Sequence, residues 1–515
     1  MPSESSELPS TAQLLMSAKD ARLRCDPRTG LNKYGCSSFP DPAVLAYGSS
    51  TASAVSERGF SAADGLRNRL AHSFGVSPAE HYVNELMRLR VELFELLGLQ
   101  DLRGLEAIFA ASGTHAHLLA AHLAAAAGPL SPLVMAVEPE ETGSFVQAAL
   151  SGRHIWDLSA QTTPGGEICC ANVIETVAVR CRDDAGEPRP AGTAGAEVEA
   201  LATRAVSARR SVLLNLIDVS KTGLISPSLA CALSLRERFP EAVDVLVDAC
   251  QFRLTRATLR AYLERGFWVA LTGSKFFTGP PFSGVLLLPE GAASRLRQRR
   301  LPAGLGLYSA QGEWPQGWAS SNGFPEIANY GLLLRWEAAL AEMRAFYALP
   351  EAQVMRFFET FALAVHGYAA ENPAFALLPV AELDRGPCVT GKGWDSVQTI
   401  FPIVLHRFGR PGRSEPLGHE ETMKIYGLLL KDLASDHSGD PSLGQAQPVV
   451  GARCQLGRPV RCGSRGGPEM SALRLCASAR LAVAALVPQA SGVRRAIDGA
   501  LTALDKAVWL AARTH

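Results

Sequence analysis

The 515-residue chain has no net charge, because 50 Lys and Arg residues balance 50 Asp and Glu residues. A balanced charge disfavours a general nucleic-acid binder, which needs an excess of basic groups to hold phosphates. The sequence also has no uninterrupted apolar run of about 18 residues, so it offers no candidate membrane span. Its first residues lack a basic region followed by an apolar core, so we expect no secretory signal peptide.

The eleven cysteines form no CxxC pair and no cluster with His at zinc-ligand spacing. Cys169 and Cys170 are adjacent and cannot readily chelate one ion together, so we expect no metal site. An odd cysteine count in a long chain favours a reduced, cytoplasmic protein over a disulfide-stabilised secreted one. With 47% hydrophobic residues, the chain can bury a large core and is long enough for two or more domains.

The most informative stretch runs from residue 243 to residue 288. An apolar, Val-rich run, VDVLV, is typical of a buried parallel strand and ends at Asp248. A short amphipathic helix follows, with Gly266 as its stop, and a second apolar strand, FWVALT, leads to Lys275. A third strand, GVLLLP, comes after the turn GPPFSG. Because open α/β sheets bind ligands at the edge where such strands end, Asp248 and Lys275 can lie close together there.

A lysine among apolar and small residues can be a neutral amine, because burial disfavours its charge. Such an amine forms a Schiff base with an aldehyde cofactor, and pyridoxal 5'-phosphate (PLP) also needs an acid to keep its ring nitrogen protonated. Lys275 and Asp248 could fill these two roles, and Thr272 and Ser274 could bind the phosphate. Taken singly, Lys275 and Asp248 are better explained as a surface lysine and a helix cap; their combination in this order favours the cofactor site.

The phrases Asp248-Ala-Cys-Gln251, Thr272-Gly-Ser-Lys275 and Gly279-Pro-Pro together resemble the fold-type I PLP enzymes, and within them the class V aminotransferase and cysteine desulfurase superfamily. The resemblance implies that Lys275 carries the cofactor, that Asp248 meets its ring nitrogen and that Gln251 meets its ring hydroxyl. It covers about residues 75–485 by order of elements. It also implies a homodimer with an α/β fold: a large, mostly parallel-sheet domain and a smaller C-terminal α/β domain.

We predict three parts for the chain. Residues 1–74 form an N-terminal extension and active-site loop, residues 75–346 the large PLP-binding domain, and residues 347–515 the small C-terminal domain. The hydroxyl-rich loop at residues 47–53 can be a flexible linker, or it can reach a phosphate or carboxylate near the site. The sequence leaves both possibilities open.

A turn at Ser112-Gly113-Thr114 opens a helix directly after a strand. Backbone N–H groups and a hydroxyl in such a turn can bind an anion, although Ser and Thr are also ordinary helix caps. By resemblance, this is the phosphate-binding turn of the family. His115 and His117 on the same helix have no metal partner at useful spacing, and both are possible neighbours of the cofactor.

Two later turns differ from the family or leave a choice. Where the family has a His that stacks on the cofactor ring, this chain has Glu141 and Thr142, and either could cover the ring. In the turn after a later strand, Asp218, Ser220 or Thr222 could face the cofactor, and any of them could equally cap the following helix.

Two further contacts depend on the resemblance. Ser321 or Asn322 lies in a segment similar to the one that reaches the partner subunit's phosphate across the family's dimer interface. Arg474 lies in an alternating strand where the family places an arginine that binds the substrate α-carboxylate with two N–H groups. The alternative for Arg474 is an exposed charge on that strand.

The sequence therefore indicates a PLP-dependent enzyme that acts on an amino acid. The family's desulfurases have a nucleophilic cysteine where this chain has Gly466, and Cys462 is displaced by four residues, so desulfuration is disfavoured. Gln251 is similar to the residue of the desulfurase and lyase branch. We predict a lyase that eliminates a β- or γ-substituent; the alternatives are a class V-type aminotransferase and a catalytically silent partner protein.

Overall fold

The computed structural model describes residues 8–17, 20–72, 77–156, 164–168, 172–408, 414–434, 446–464, 469–487 and 492–513. These residues form fifteen α-helices and fourteen β-strands. The helices are α1 (Thr11–Leu15), α2 (Glu57–Ala71), α3 (Pro78–Leu97), α4 (Gly113–Ala126), α5 (Val146–Leu150), α6 (Ala191–Ser207), α7 (Leu229–Arg238), α8 (Arg256–Glu264), α9 (Glu290–Leu296), α10 (Tyr330–Tyr347), α11 (Glu351–Glu371), α12 (His419–Leu429), α13 (Gln447–Gly451), α14 (Ala479–Leu486) and α15 (Gly492–Ala511). The strands are β1 (Val44–Tyr47), β2 (Glu106–Ala110), β3 (Leu133–Val137), β4 (Glu175–Val179), β5 (Val212–Asp218), β6 (Ile225–Ser226), β7 (Val243–Ala249), β8 (Trp268–Thr272), β9 (Gly284–Leu288), β10 (Phe375–Leu377), β11 (Ile400–Phe408), β12 (Ser414–Pro416), β13 (Arg453–Arg461) and β14 (Ser471–Cys476).

Local capping signals set the helix boundaries. Helix α3 begins after Ser77, whose side chain accepts a hydrogen bond from the Glu80 N–H, and ends at Gly98, which has a left-handed φ of 66°. Helix α8 likewise begins after a capping Thr255 and is followed by Gly266 with a φ of 78°. The helix stop predicted at Gly266 is confirmed.

The larger sheet has the strand order β2-β9-β8-β7-β5-β3-β4, with β6 paired to β5. Strand β9 is antiparallel to both β2 and β8, whereas β8, β7, β5, β3 and β4 are mutually parallel. Every residue of β3, β5, β8 and β9 is buried, as expected for strands covered by helices on both faces. The predicted mostly parallel sheet is confirmed, and the carboxyl ends of its parallel strands meet at one edge.

The smaller sheet has the order β1-β13-β14-β11-β10, with β12 paired to β11. Strand β1 pairs in parallel with β13, and Tyr47 lies opposite Leu456. The stretch predicted as an N-terminal extension therefore contributes an edge strand to the C-terminal sheet. This pairing fixes the start of the hydroxyl-rich loop at residues 47–53.

Arg253 ties the end of the larger sheet to the smaller one. Its guanidinium is fully buried and donates to Thr399 Oγ1 at 2.9 Å, to the Ala477 carbonyl at 2.7 Å and to Ser49 Oγ at 3.0 Å. Because an unsatisfied buried guanidinium is costly, these three acceptors hold the two sheets and the loop in one arrangement. None of the helices described above combines the length and apolarity needed to span a bilayer.

Candidate active site

A cavity of about 450 Å³ lies at the carboxyl edge of the larger sheet and is lined by residues of both sheets. Ten of the residues predicted from the sequence line it together. They are Ser112, Gly113, Thr114, Thr142, Asp248, Gln251, Thr272, Ser274, Lys275 and Arg474. Strand ends far apart in sequence thus bring the predicted acid, lysine, amide and arginine into one space.

Asp248 is buried at the end of β7 and has three partners. His117 Nε2 lies 3.3 Å from Asp248 Oδ2, Thr142 Oγ1 donates to the same oxygen at 3.1 Å, and the Cys250 N–H donates to Oδ1 at 3.1 Å. Burial alone would raise the pKa of Asp248, but the positive charges of His117 and Lys275 outweigh burial and hold that pKa well below its usual range. Asp248 is therefore an ionised carboxylate inside the protein.

His117 is oriented by the first turn of its own helix. Its Nδ1 lies 2.7 Å from the Gly113 carbonyl, which accepts the ring N–H and leaves Nε2 directed at Asp248. Burial alone would lower the pKa of His117, but the Asp248 carboxylate outweighs it and the pKa is raised. The pKa values of the two groups thus shift in opposite directions, as expected for a histidine and a carboxylate that stabilise each other's charged form. The sequence suggested His117 only as a possible neighbour of the cofactor.

Lys275 follows β8 on a backbone that cannot easily move. The next residue, Phe276, stacks on Trp394 at a ring distance of 4.8 Å and an angle of 8°, and its carbonyl accepts from the Ala479 N–H at 2.9 Å. A Cβ at Gly273 would lie 2.6 Å from Ala339 Cβ, so this approach requires glycine. Within the described residues, the Lys275 amine has no hydrogen-bond partner, and it faces the cavity that Asp248 also lines.

The N-terminus of α4 forms another part of the cavity wall. Ser112 precedes the helix but does not cap it, because its hydroxyl hydrogen-bonds with His115 Nδ1 at 2.8 Å. A Cβ at Gly113 would lie 2.5 Å from Cys250 Sγ, so only glycine lets this turn pack against the end of β7. The first N–H groups of a helix have no partner within the helix and favour an anion. The turn from Ser112 to Thr114 therefore suits a phosphate, as the sequence predicted.

Thr272 and Ser274 flank the lysine's strand end differently. The Thr272 hydroxyl donates to the Cys250 carbonyl at 2.7 Å and so anchors the end of β8 to β7. Ser274 is buried on the cavity wall next to Lys275. Of the two hydroxyls, that of Ser274 is the one not engaged by a described protein group.

Glu141 and Ser220 are hydrogen-bonded to each other. Glu141 accepts hydrogen bonds from Arg182 Nε at 2.9 Å and from Ser220 Oγ at 2.6 Å, all within the protein interior. Ser220 does not line the cavity, and its hydroxyl is engaged by this carboxylate. Of the two residues proposed to cover the cofactor ring, Thr142 lies beside Asp248, whereas Glu141 secures the turn after β5.

Lys221, in that same turn, is a cavity residue that the sequence did not single out. Its Nζ donates to the Pro139 carbonyl at 2.9 Å, and its backbone N–H donates to the Glu141 carbonyl at 2.8 Å. Burial, helped by the positive charge of Arg474, lowers the pKa of Lys221 to about 7. The cavity thus contains a second amine that can gain and lose a proton near neutral pH. A lysine in a polar turn gives no sequence signal of this.

Arg474 is 3% exposed, so the alternative of an exposed strand charge is wrong. Its Nη2 donates to Thr51 Oγ1 at 2.7 Å and to the Arg458 carbonyl at 2.6 Å, and its Nη1 lies 3.4 Å from the Ser50 carbonyl. Gln251 Nε2 donates to the same Ser50 carbonyl at 3.1 Å. Of the two possibilities for the loop at 47–53, the structure favours the second, because the loop lies against the cavity.

The segment around Arg22 supplies a further wall. Arg22 pairs with Asp20 at 2.6 Å, and its guanidinium lies over the rings of Trp156, Phe282 and Phe145 at 4.7, 4.8 and 5.2 Å. Cation–π contacts of this kind fix a charged group without a second carboxylate. The N-terminal extension is therefore part of the site.

Asn322 is exposed, outside the cavity, and its contact with a partner subunit stays a prediction. Cys462 is buried in a small core with Val460 and Met470 and does not line the cavity. Gly466, where the family's desulfurases have their cysteine, lies outside the described residues.

No protein-family model matches the chain, and no curated protein matches it. Among solved structures, it is similar to a C-DES variant with glycine covalently linked to the PLP cofactor, at 15% identity and a TM-score of 0.52, covering 90% of this chain and 99% of that one. Other matches are the cysteine desulfurase CsdA from Escherichia coli (15%, TM-score 0.48, 90% and 95% covered) and a NifS-like protein from Rickettsia africae (12%, TM-score 0.49, 90% and 99% covered). The chain has the fold of the fold-type I PLP-dependent enzymes, which confirms the predicted fold class.

Proposed function

We propose that the protein is a PLP-dependent enzyme that acts on an amino acid and that Lys275 holds the cofactor. The observation that carries this proposal is the single cavity shared by the Lys275 amine, the ionised Asp248 and the N-terminus of α4. An amine, an anion for a ring nitrogen and a phosphate-binding turn are the three groups that PLP requires.

One residue of the cavity, Gln251, has an unused hydrogen-bond acceptor that fits this cofactor. Gln251 Oε1 is buried without a hydrogen-bond partner in the described part of the chain, although the Nε2 of the same side chain is used. Buried polar atoms are rarely left unpaired, so such an atom on a cavity wall indicates a ligand group. The ring hydroxyl of PLP is a suitable donor, as the resemblance implies for Gln251.

When bound, PLP supplies an electron sink for the bonds of the substrate's α-carbon. Asp248 would hold the proton on the ring nitrogen, and His117 would keep Asp248 ionised. In its free form, the Lys275 amine would take the proton from the substrate's α-carbon. Arg474, fixed by its contacts with Thr51 and Arg458, would orient the substrate α-carboxylate.

We propose elimination of a β- or γ-substituent as the reaction, with transamination as the second candidate. Elimination needs a base at the α-carbon and an acid for the leaving group. Lys221 supports elimination, because it is a second amine in the same cavity with a pKa of about 7. Transamination needs only the first amine and is supported by the fold-level resemblance.

The test is product analysis on a panel of amino acids with and without an α-keto acid acceptor. Elimination predicts ammonia and a keto acid or unsaturated product without the acceptor. Turnover that strictly requires the acceptor would establish an aminotransferase instead. Protein that takes up no PLP and turns over nothing would be a catalytically silent partner protein.

We further propose a cytoplasmic homodimer, in which Asn322 of each subunit reaches the other's cofactor phosphate. Asn322 is exposed and follows the buried Ser321, which agrees with a contact outside its own subunit. Light scattering should give twice the chain mass of 54.8 kDa. An Asn322→Ala variant should lose PLP affinity while it remains dimeric; a monomer in solution would contradict the proposal.

A further inference from the structure

We propose that the substrate is an amino acid whose side chain ends in a second acidic group, and that Arg458 binds this group. The inference rests on the proposed function and deepens it by naming the substrate class. It derives from the charges around the cavity, from the contacts of Arg458 and from one buried hydroxyl.

The cavity carries an excess of positive charge. Seven Lys and Arg side chains line it, against three carboxylates. Two of the seven cations are paired with carboxylates outside the lining, Arg22 with Asp20 and Arg461 with Glu469, so five remain. Two of the three lining carboxylates are also paired, Glu141 with Arg182 and Asp248 with His117. An excess of cations in a partly closed space attracts an anionic ligand and costs free energy when no anion is present.

Among the arginines of the cavity, Arg458 is the one whose charge an anionic ligand would stabilise most. Its backbone is fixed, since its N–H donates to Thr51 Oγ1 at 3.0 Å and its carbonyl accepts from Arg474. Its side chain is half-buried on the cavity wall, and no carboxylate pairs with it among the described residues. Burial and the charges of Arg461 and Arg458 lower the pKa of His419, another wall residue, although the carboxylates of Glu469 and Glu420 act in the opposite direction.

Arg458 and Arg474 are suited to two different anions. The Arg474 guanidinium is enclosed and fixed by three protein acceptors, so the N–H groups that it can offer a ligand are those of Nη1. The Arg458 guanidinium has no such acceptors in the part of the chain that the structure describes, and the exposed Lys33 also lines the cavity. A single α-carboxylate would leave Arg458 unpaired, whereas an acidic side chain would pair with it.

The loop beside these arginines contains an unused hydrogen-bonding group. Ser50 Oγ is buried without a partner in the described structure, although the Ser50 carbonyl accepts from Gln251 and Arg474. Ser50 lines the cavity. Its hydroxyl is therefore an unused donor in the loop that lies next to the arginines.

The test measures binding of L-glutamate and L-glutamine, and of L-aspartate and L-asparagine, to the PLP-loaded protein by isothermal titration calorimetry. One charge-assisted contact with Arg458 is expected to make the tighter-binding of the two acids, glutamate or aspartate, bind about 10- to 100-fold more tightly than its own amide. Arg458→Gln should abolish this preference and change the amide's affinity less than about twofold, and Arg458→Lys should restore part of it. The matched control Arg300→Gln removes an exposed cation outside the cavity and should keep the preference.

Two results would overturn the inference: acids and amides that bind equally well to the unaltered protein, or an Arg458→Gln variant that keeps the preference. Failure of the proposed function is recognised separately, because protein that takes up no PLP shows no cofactor absorption. In that case the cofactor-free protein is titrated with succinate and its mono-amide. The anion site then requires that succinate binds more tightly than its mono-amide and that the Arg458→Gln variant loses this preference.

Discussion

Replacement of Asp248 by Asn changes one charge in the cavity and almost no volume. An amide cannot hold the proton on the ring nitrogen, and it cannot balance the charge of His117, 3.3 Å away. A charge-assisted hydrogen bond in such a buried place contributes about 1.5–3 kcal/mol. A difference of 1.36 kcal/mol in the activation free energy corresponds to a factor of ten in rate. Loss of the contact between Asp248 and the ring nitrogen alone therefore predicts a fall in turnover of about 10- to 100-fold.

PLP content should fall much less than turnover, because Lys275 and the N-terminus of α4 still hold the cofactor. The assay measures kcat on the best amino acid of the panel and, separately, PLP released from the protein by alkali. Asp244→Asn is the matched control, since Asp244 lies on the same strand but pairs with Arg295 away from the cavity.

The same variant has a second readout in His117. Without the carboxylate, burial dominates, so the pKa of His117 should fall below its ordinary value and the ring should be neutral at pH 7. Histidine NMR signals report this charge directly. Turnover within about twofold of the Asp244→Asn control, or a His117 that stays charged, would refute the assignment of Asp248.

Three further variants test other parts of the site. Arg474→Lys should raise KM by about 10- to 100-fold with a smaller change in kcat, because an ammonium cannot contact Thr51, Arg458 and a substrate carboxylate in the fixed geometry of a guanidinium; an unchanged KM would exclude α-carboxylate binding there. Lys221 keeps its charge below about pH 7 and loses it above, so succinate affinity of the cofactor-free protein should fall as pH rises through 7; Lys221→Met should flatten this dependence, and an unaltered slope would contradict the lowered pKa. Glu141→Ala leaves Arg182 buried and unpaired and should lower the free energy of unfolding by about 3–5 kcal/mol in chemical denaturation. The exposed neighbour Glu140, changed to Ala, should alter it by no more than about 0.5 kcal/mol, and equal effects would show that the ion pair is unimportant.

Local sequence was sufficient for the elements that carry the cofactor site. The runs before Asp248 and Lys275 are continuous and apolar, and glycines such as Gly98 mark helix ends through their left-handed φ. Such signals act within a few residues. The predicted sheet and the meeting of Asp248 with Lys275 therefore followed from local pattern and from the topology of open sheets.

Other parts of the site depend on contacts between distant residues. His117 lies in an alanine-rich helix, where no local pattern shows that it faces Asp248, 131 positions away. The pairing of β1 with β13 joins residues more than 400 positions apart, and together with the contacts of Gln251 and Arg474 it brings Ser50 to the cavity. Ser220 was predicted as a cofactor neighbour, but its hydroxyl is engaged by Glu141, another distant partner.

The cavity is lined by three lysines, and the central claim is that Lys275 rather than Lys221 or Lys33 holds the cofactor. The most direct measurement is borohydride reduction of the PLP-loaded protein, which fixes the aldehyde to the amine that carries it, followed by mass spectrometry of the peptides. The predicted result is one phosphopyridoxyl group per chain, on the peptide containing Lys275, and none in a Lys275→Ala variant. Label on Lys221, or no label on protein mixed with excess PLP, would contradict the claim.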